Sequence, residues 1–197
     1  MLAPEVRNDS SIADTRRILH DRWGIDDRFD LLQALEHLDR EGHRVEFQRQ
    51  GQSLLAMTDA RYQMALLAAR NRPDVVRRMK LLRAHYQRHR RTSLLGWDYC
   101  RYIMLCRWGY MLCFLTEDEA WRQMLPAART IQGGFGSWAE LGEDYLVGRE
   151  FWSHEEMDRT GKIYRDIETW LVKNPRSAWN QLPWRMELGA GTPSTPP

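Results

Sequence analysis

"GWDYCRYIMLCRWGYMLCFLTEDEAW", residues 96–121, decides how the rest of this chain is read. It is the most apolar run in the sequence, yet Asp98, Arg101 and Arg107 lie inside it. Its apolar part, Tyr102 to Leu115, is 14 residues long and contains Arg107. A membrane span takes about 20 apolar residues, so the run reads as a buried helix and not as a span. Its three cysteines do not form a metal site. Cys106 and Cys113 share a stripe, Cys100 points elsewhere, and no pair has the i, i+3 or i+4 spacing of two ligands on one helix. They read as buried free thiols of a reducing compartment. The segment from Leu94 to Leu115 is therefore expected as the central helix of the fold.

Working outward, nearly every flanking segment carries helix signals. Ser10 or Ser11 caps a first helix running to about Trp23, and Gly24 turns the chain. Asp26 or Asp27 caps a second, with Phe29, Leu32, Leu35 and Leu38 on one face and Gly42 at its stop. Residues 43–57 are undecided; no alternating run predicts a strand, and a short piece near Val45 to Phe47 is the one place left open to it. A further helix is expected from Thr58 to about Asn71, and Pro73 opens the next. Thr116 with Glu119, Ser137 with Glu140, and Ser153 with Glu156 form three S/T-x-x-E capping boxes. Pro126 is expected to kink or divide the helix that begins at Thr116. The pattern predicts an all-α domain of about seven or eight helices over residues 1–173. Residues 174–197 are expected as an irregular Pro/Gly-rich tail, disordered from Gly189, with Trp179 and Trp184 available to anchor its earlier part.

Composition sets the class. At 197 residues, 43% hydrophobic and 28% charged, the chain suits a soluble globular domain. "MLAPEVRNDSS" has no cationic stretch followed by an apolar one, so no secretory signal is expected and the location is expected to be cytoplasmic. The net charge of +2 conceals a segregation. Residues 70–91 carry nine Arg or Lys against Asp74 alone, while residues 116–158 carry ten Asp or Glu against three Arg. The basic face Arg77, Arg78, Lys80, Arg83, Arg88, Arg90 and Arg91 suits an acidic protein surface, unless it lies over the acidic half or is only solvated. A near-neutral chain disfavours a dedicated nucleic-acid binder.

Two blocks carry a family likeness: "WGIDDRFDLLQALEHLDREGHRVEF" (residues 23–47), and residues 96–121 followed by "SWAELGEDYLVGREFW" (137–152). The Trp-Asp-x-x-Arg opening, the Thr-x-x-Glu-Ala-Trp cap and the Tyr-x-x-Gly-Arg-x-x-Trp segment resemble an uncharacterised bacterial domain-of-unknown-function family typified by YbeU/YbeR-like proteins. The resemblance spans most of residues 20–155. It implies an all-helical bacterial domain and brings no activity or catalytic residues with it.

Chemistry-bearing residues leave two readings open. Asp98 and Arg101, at i, i+3, could join Glu119 and Arg149 in a polar cluster. That cluster is either a latch between helices or an anion site with the two arginines as forked donors. His85 and His89 share a helical face, but Arg88, Arg90 and Arg91 would repel a cation, so they read as a surface pair. His37 and His43 straddle a helix end, and His154 reads as exposed. Glu143 with Asp144, and Glu155 with Glu156, read as capping or solvated carboxylates. "GGFG" (residues 133–136) reads as a helix stop, with anion binding as its alternative. No G-x-S-x-G, P-loop, H-E-x-x-H or C-x-x-C occurs. No metal or cofactor is expected, and oligomeric state is left open. The favoured reading is a non-enzymatic protein-interaction module, such as an immunity or accessory protein paired with a secreted toxin. The alternative is an enzyme or small-anion binder built on Asp98, Arg101, Glu119 and Arg149.

Overall fold

A computed structural model describes residues 8–153 and 161–189. Among these residues the chain is all-α. The helices are α1 (Asp9–Trp23), α2 (Arg28–Glu41), α3 (His43–Leu55), α4 (Asp59–Ala68) and α5 (Pro73–His89), followed by a 3-10 turn over Arg90–Thr92. Then come α6 (Leu95–Met111), α7 (Glu117–Gly134), α8 (Trp138–Ser153), α9 (Gly161–Lys173) and the short α10 (Ala178–Gln181). The two helices beyond the expected number are α3, in the undecided region, and α10. Val45–Phe47, the one piece left open to a strand, is part of α3, where Phe47 is fully buried on the helix's inner face.

Local chemistry explains most of the boundaries. Asn8 caps α1 by accepting from the Ser11 N–H at 2.8 Å, so the cap lies just before the serines expected to supply it. Gly24, at φ 63°, closes α1 in the left-handed conformation that suits glycine, with its N–H on His20 O. Asp27 accepts from Asp30 N at 3.0 Å to start α2, and Thr58 accepts from Arg61 N to start α4. The Thr116–Glu119 box forms in full, each residue accepting from the other's backbone N–H. In the second box Ser137 accepts from Glu140 N, while the Glu140 carboxylate reaches one residue further back, to Gly136 N. The third expected box, and His154 with it, extends outside the described residues, as does the tail from residue 190.

Pro126 does not divide α7. It lies on the exposed face of a helix that runs unbroken over Glu117–Gly134.

The helices gather into two compact units. One comprises residues up to Glu41, Tyr99–Gly133 and the chain from Met186; the other comprises Gly42–Asp98 and Gly134–Arg185. The first has an aliphatic core in which Leu19, Leu31, Leu35, Leu105, Cys106 and Leu115 are almost fully enclosed. Each such leucine contributes about 1.5–3 kcal/mol of burial free energy. The second is built on aromatic side chains: Phe47 stands edge-on to Phe151 at 5.1 Å, and Trp97 to Tyr145 at 5.0 Å. There α8 comes so close to the start of α6 that any Cβ on Gly148 would collide with Trp97.

The segment after Asn174 is held by tryptophans of the second unit. Trp138 and Trp179 stack at 6.1 Å, and Trp184 donates to Phe135 O at 2.9 Å. No helix of the described residues is long and apolar enough to cross a membrane.

Candidate functional site

Asp98, in the first turn of α6, is 1% exposed. Its carboxylate accepts from His43 N at 3.1 Å and Arg44 N at 2.9 Å, and from the Arg44 guanidinium at 3.1 Å. These are the first N–H groups of α3, whose N-cap, Gly42, has no side chain to satisfy them. Asp98 therefore caps α3 from 55 residues away along the chain. Glycine is required at 42 because a Cβ there would run into the Asp98 carboxylate.

A second buried carboxylate, Asp144 on α8, does the same for α6. It is fully enclosed and accepts from Leu94 N at 2.7 Å, Gly96 N at 2.8 Å and Trp97 N at 3.4 Å. Leu94 sits at φ 61°, a strained conformation for a branched residue, and the Asp144 bond secures it. His85 Nε2 meets the same carboxylate at 2.8 Å. His89 lies against His85, ring centroids 4.4 Å apart. Burial, and then the neighbouring His85, hold His89 below its ordinary imidazole pKa, and its Nε2 has no hydrogen-bond partner among the described residues.

Two sequence expectations are corrected here. His85 and His89 are not a surface pair; both are buried on the inner stripe of α5, which also includes Leu82. Of the two roles expected for Asp144, capping and solvation, it caps, but from inside the core, because the helix turns it to a different side from Glu143. The signal was present: Asp144 interrupts the apolar spacing Leu141, Gly148, Phe151, as the histidines interrupt that of α5. The cysteines are corrected as well. Cys106 is buried and its thiol is pushed up to about 12 by burial, while Cys100 is half-buried and Cys113 exposed.

The four residues of the expected polar cluster are divided between the two units. Arg101 and Glu119 belong to the first, Asp98 and Arg149 to the second. Glu119 receives a two-pronged guanidinium from Arg28 at 2.9 and 3.0 Å and closes the α7 capping box. Arg28 first, then the Thr116 N–H, hold its carboxyl at about 2. Arg101 is buried, its guanidinium 5.5 Å from the Trp23 ring. Arg149 lies between the Trp152 and Tyr164 rings, 5.0 Å from each.

The basic residues of α5 are partly engaged by the acidic half, as the charge segregation allowed. Arg88 meets Glu143 at 2.8 Å and Arg77 meets Glu150 at 3.7 Å. Arg83 bridges to Asp59 and covers the Tyr62 ring at 4.0 Å, and Arg78 covers Phe151 at 4.0 Å. Lys80, Arg88, Arg90 and Arg91 remain exposed. Between α4 and the first turns of α5 lies an open groove of about 630 Å³, with Leu66, Val76 and Leu81 on its walls and Arg70, Arg77 and Lys80 around them. Among the described residues no group of three or more His, Cys, Asp or Glu is placed to hold a metal ion.

The sequence model of a family described as "Protein of unknown function (DUF1266)" matches residues 18–184. This chain belongs to the DUF1266 family. The DUF1266 match takes in both buried carboxylates and the α4–α5 groove. The chain is also similar to a protein named "Uncharacterized protein YbeR" from Escherichia coli (strain K12), 24% identical over 141 residues. That alignment covers 71% of this chain and 59% of the relative, so the chain spans well under two thirds of the relative's length. No solved structure matches the chain.

Proposed function

We propose that this chain is a non-enzymatic protein-interaction module whose basic α5 face meets an acidic protein surface. The observation that carries this reading is the contrast between its buried and exposed charges. Asp98 and Asp144 have the enclosure of catalytic carboxylates, but their oxygens are taken up by backbone N–H groups at helix starts. A general base needs reach to a substrate proton, and a capping carboxylate so enclosed has none. Lys80, Arg88, Arg90 and Arg91 stand in solvent, where like charges on one face steer an acidic partner. A compact binder of this kind suits an immunity or accessory role beside a secreted toxin. The competing reading, an enzyme or small-anion binder at Asp98, Arg101, Glu119 and Arg149, must displace Arg44 from Asp98 and Arg28 from Glu119.

Affinity capture on the purified chain, followed by titration with the captured protein, tests the reading. The expected result is an acidic partner whose binding weakens with salt and falls about tenfold or more in R88E/R90E/R91E. Co-purification of a small molecule with no macromolecular partner, or binding indifferent to salt and to those substitutions, overturns it.

A further inference from the structure

The α4–α5 groove has a composition that the charge pattern of α5 alone does not explain. Pro73, Val76, Arg77, Lys80 and Leu81 recur at helical spacing on one face of α5, and Leu66 of α4 stands opposite. That face is distinct from the inner stripe of Leu82, His85 and His89. The result is an apolar floor open to solvent and rimmed by Arg70, Arg77 and Lys80, with Glu150 of α8 beside Arg77. Met64 and Leu67 of α4, 69% and 62% exposed, are apolar side chains turned to solvent outside the groove. A smaller cavity of about 70 Å³ shares Arg77, Leu81 and Glu150 with the groove.

We infer that this groove takes an acidic amphipathic segment of a protein partner, with its apolar side chains on Leu66, Val76 and Leu81 and its carboxylates toward Arg70 and Lys80. The inference rests on the protein-interaction reading above and names the element recognised. Charge complementarity selects the occupant. Arg77 is already matched by Glu150 at 3.7 Å, whereas Lys80 has no carboxylate partner among the described residues. Arg70 is exposed at the groove's edge. A nucleic-acid backbone would use the cations and gain nothing from the floor. A neutral peptide would use the floor and leave the cations unmatched. An amphipathic helix or strand bearing Asp or Glu beside its apolar anchors uses both. The groove is too small for a standard-sized interface, so the isolated segment binds in the micromolar range.

The test pans random peptides displayed on phage against the full chain and measures the best binder by fluorescence anisotropy. The selected peptides are expected to combine Asp or Glu with apolar residues at regular spacing. R70E/K80E and the milder R70A/K80A, both at exposed positions, are expected to weaken binding by about tenfold or more and by several-fold respectively. Val76→Ser weakens it through the floor, and R88E/R90E/R91E, at the far end of α5, leaves it nearly unchanged. Circular dichroism confirms that each variant is folded. Selection of basic or uncharged peptides, binding unaffected in R70E/K80E, or displacement of the peptide by single-stranded DNA overturns the inference. The module reading fails separately, when affinity capture yields no salt-sensitive acidic partner.

Discussion

The two compact units differ in how much polarity they bury. In the first, the buried polar or charged residues among those described are Thr15 and Arg101, set in a core of leucines. Its ion pairs, Arg28–Glu119 among them, are at the surface. In the second, His85, His89, Ser93, Asp98, Asp144 and Ser177 are all buried, in a unit whose core includes Phe47, Trp97 and Phe151. Leucine packing is non-directional and accepts small shifts of register. A carboxylate accepting two or three N–H bonds accepts one geometry only. The first unit also has polar links between helices, Arg28–Glu119, Tyr99–Asp39 and Tyr102–Gln123 among them, but the fully enclosed carboxylates among the described residues, Asp98 and Asp144, both belong to the second.

The sharpest attempt to break this contrast is Asp144→Ala. It orphans the N–H groups at Leu94 and Gly96 and leaves His85 without its acceptor, at a cost of about 3–5 kcal/mol in urea unfolding. A cost near that of a surface cap would mean that the junction is held by packing, as in the first unit. Next is Leu105→Ala, expected to cost about 2–5 kcal/mol through the cavity it opens in the aliphatic core. Hydrogen exchange should then show lost protection in α1, α2 and α7 before α3 and α5. Equal loss in all five would remove the energetic distinction between the units. Asp98→Asn keeps the shape but gives up the charge facing Arg44 and the α3 start. About 1.5–3 kcal/mol is expected, with α3 amides exchanging faster.

Acid exposes the same contrast more gently. His89 has a folded pKa below its ordinary 6.5, so as pH falls through 6.5 the unfolded chain takes up the proton first and stability of the second unit declines. His20, in the first unit, is raised by its bond to Asp26, so its contribution is present below 6.5 and fades as pH rises. Hydrogen exchange from neutral to mildly acid pH should therefore show α5 and α8 loosening while α1 does not, and His89→Leu should abolish the α5 response. The smallest effect belongs to Glu119→Gln. The carboxyl sits at about 2 against an ordinary 4.5, so its contribution is present above 4.5 and lost as pH falls toward 2. The substitution should lower stability slightly above pH 4.5, the pair lying at the surface, and so flatten that part of the acid unfolding curve.

Much of the fold was legible because its signals are local. Capping boxes at Thr116 and Ser137, the glycine stop at 24 and the proline start at 73 act within a few residues of where they stand. Residues 43–57 were not legible, because the start of α3 is satisfied by Asp98, which no local pattern connects to Gly42. The site reading shows the same divide. Asp98 was singled out as an acid in an apolar run, but its partner Arg44 lies 54 residues away and was not seen. Asp144 was passed over beside Glu143, although a carboxylate on an apolar stripe marks burial as clearly as a leucine does.

By itself, then, the sequence determined that the chain is helical, where most helices begin and end, and that its charge is segregated. Those properties depend on hydrogen bonds and periodicity spanning one or two turns. Only the tertiary structure decided which charges are buried and which partners they have. A carboxylate, imidazole or guanidinium takes its pKa and its role from what surrounds it, and here those surroundings arrive from helices about 40 to 60 residues apart in the chain. The same holds at "GWDYCRYIMLCRWGYMLCFLTEDEAW". Its buried acid, Asp98, is the cap that α3 does not carry for itself.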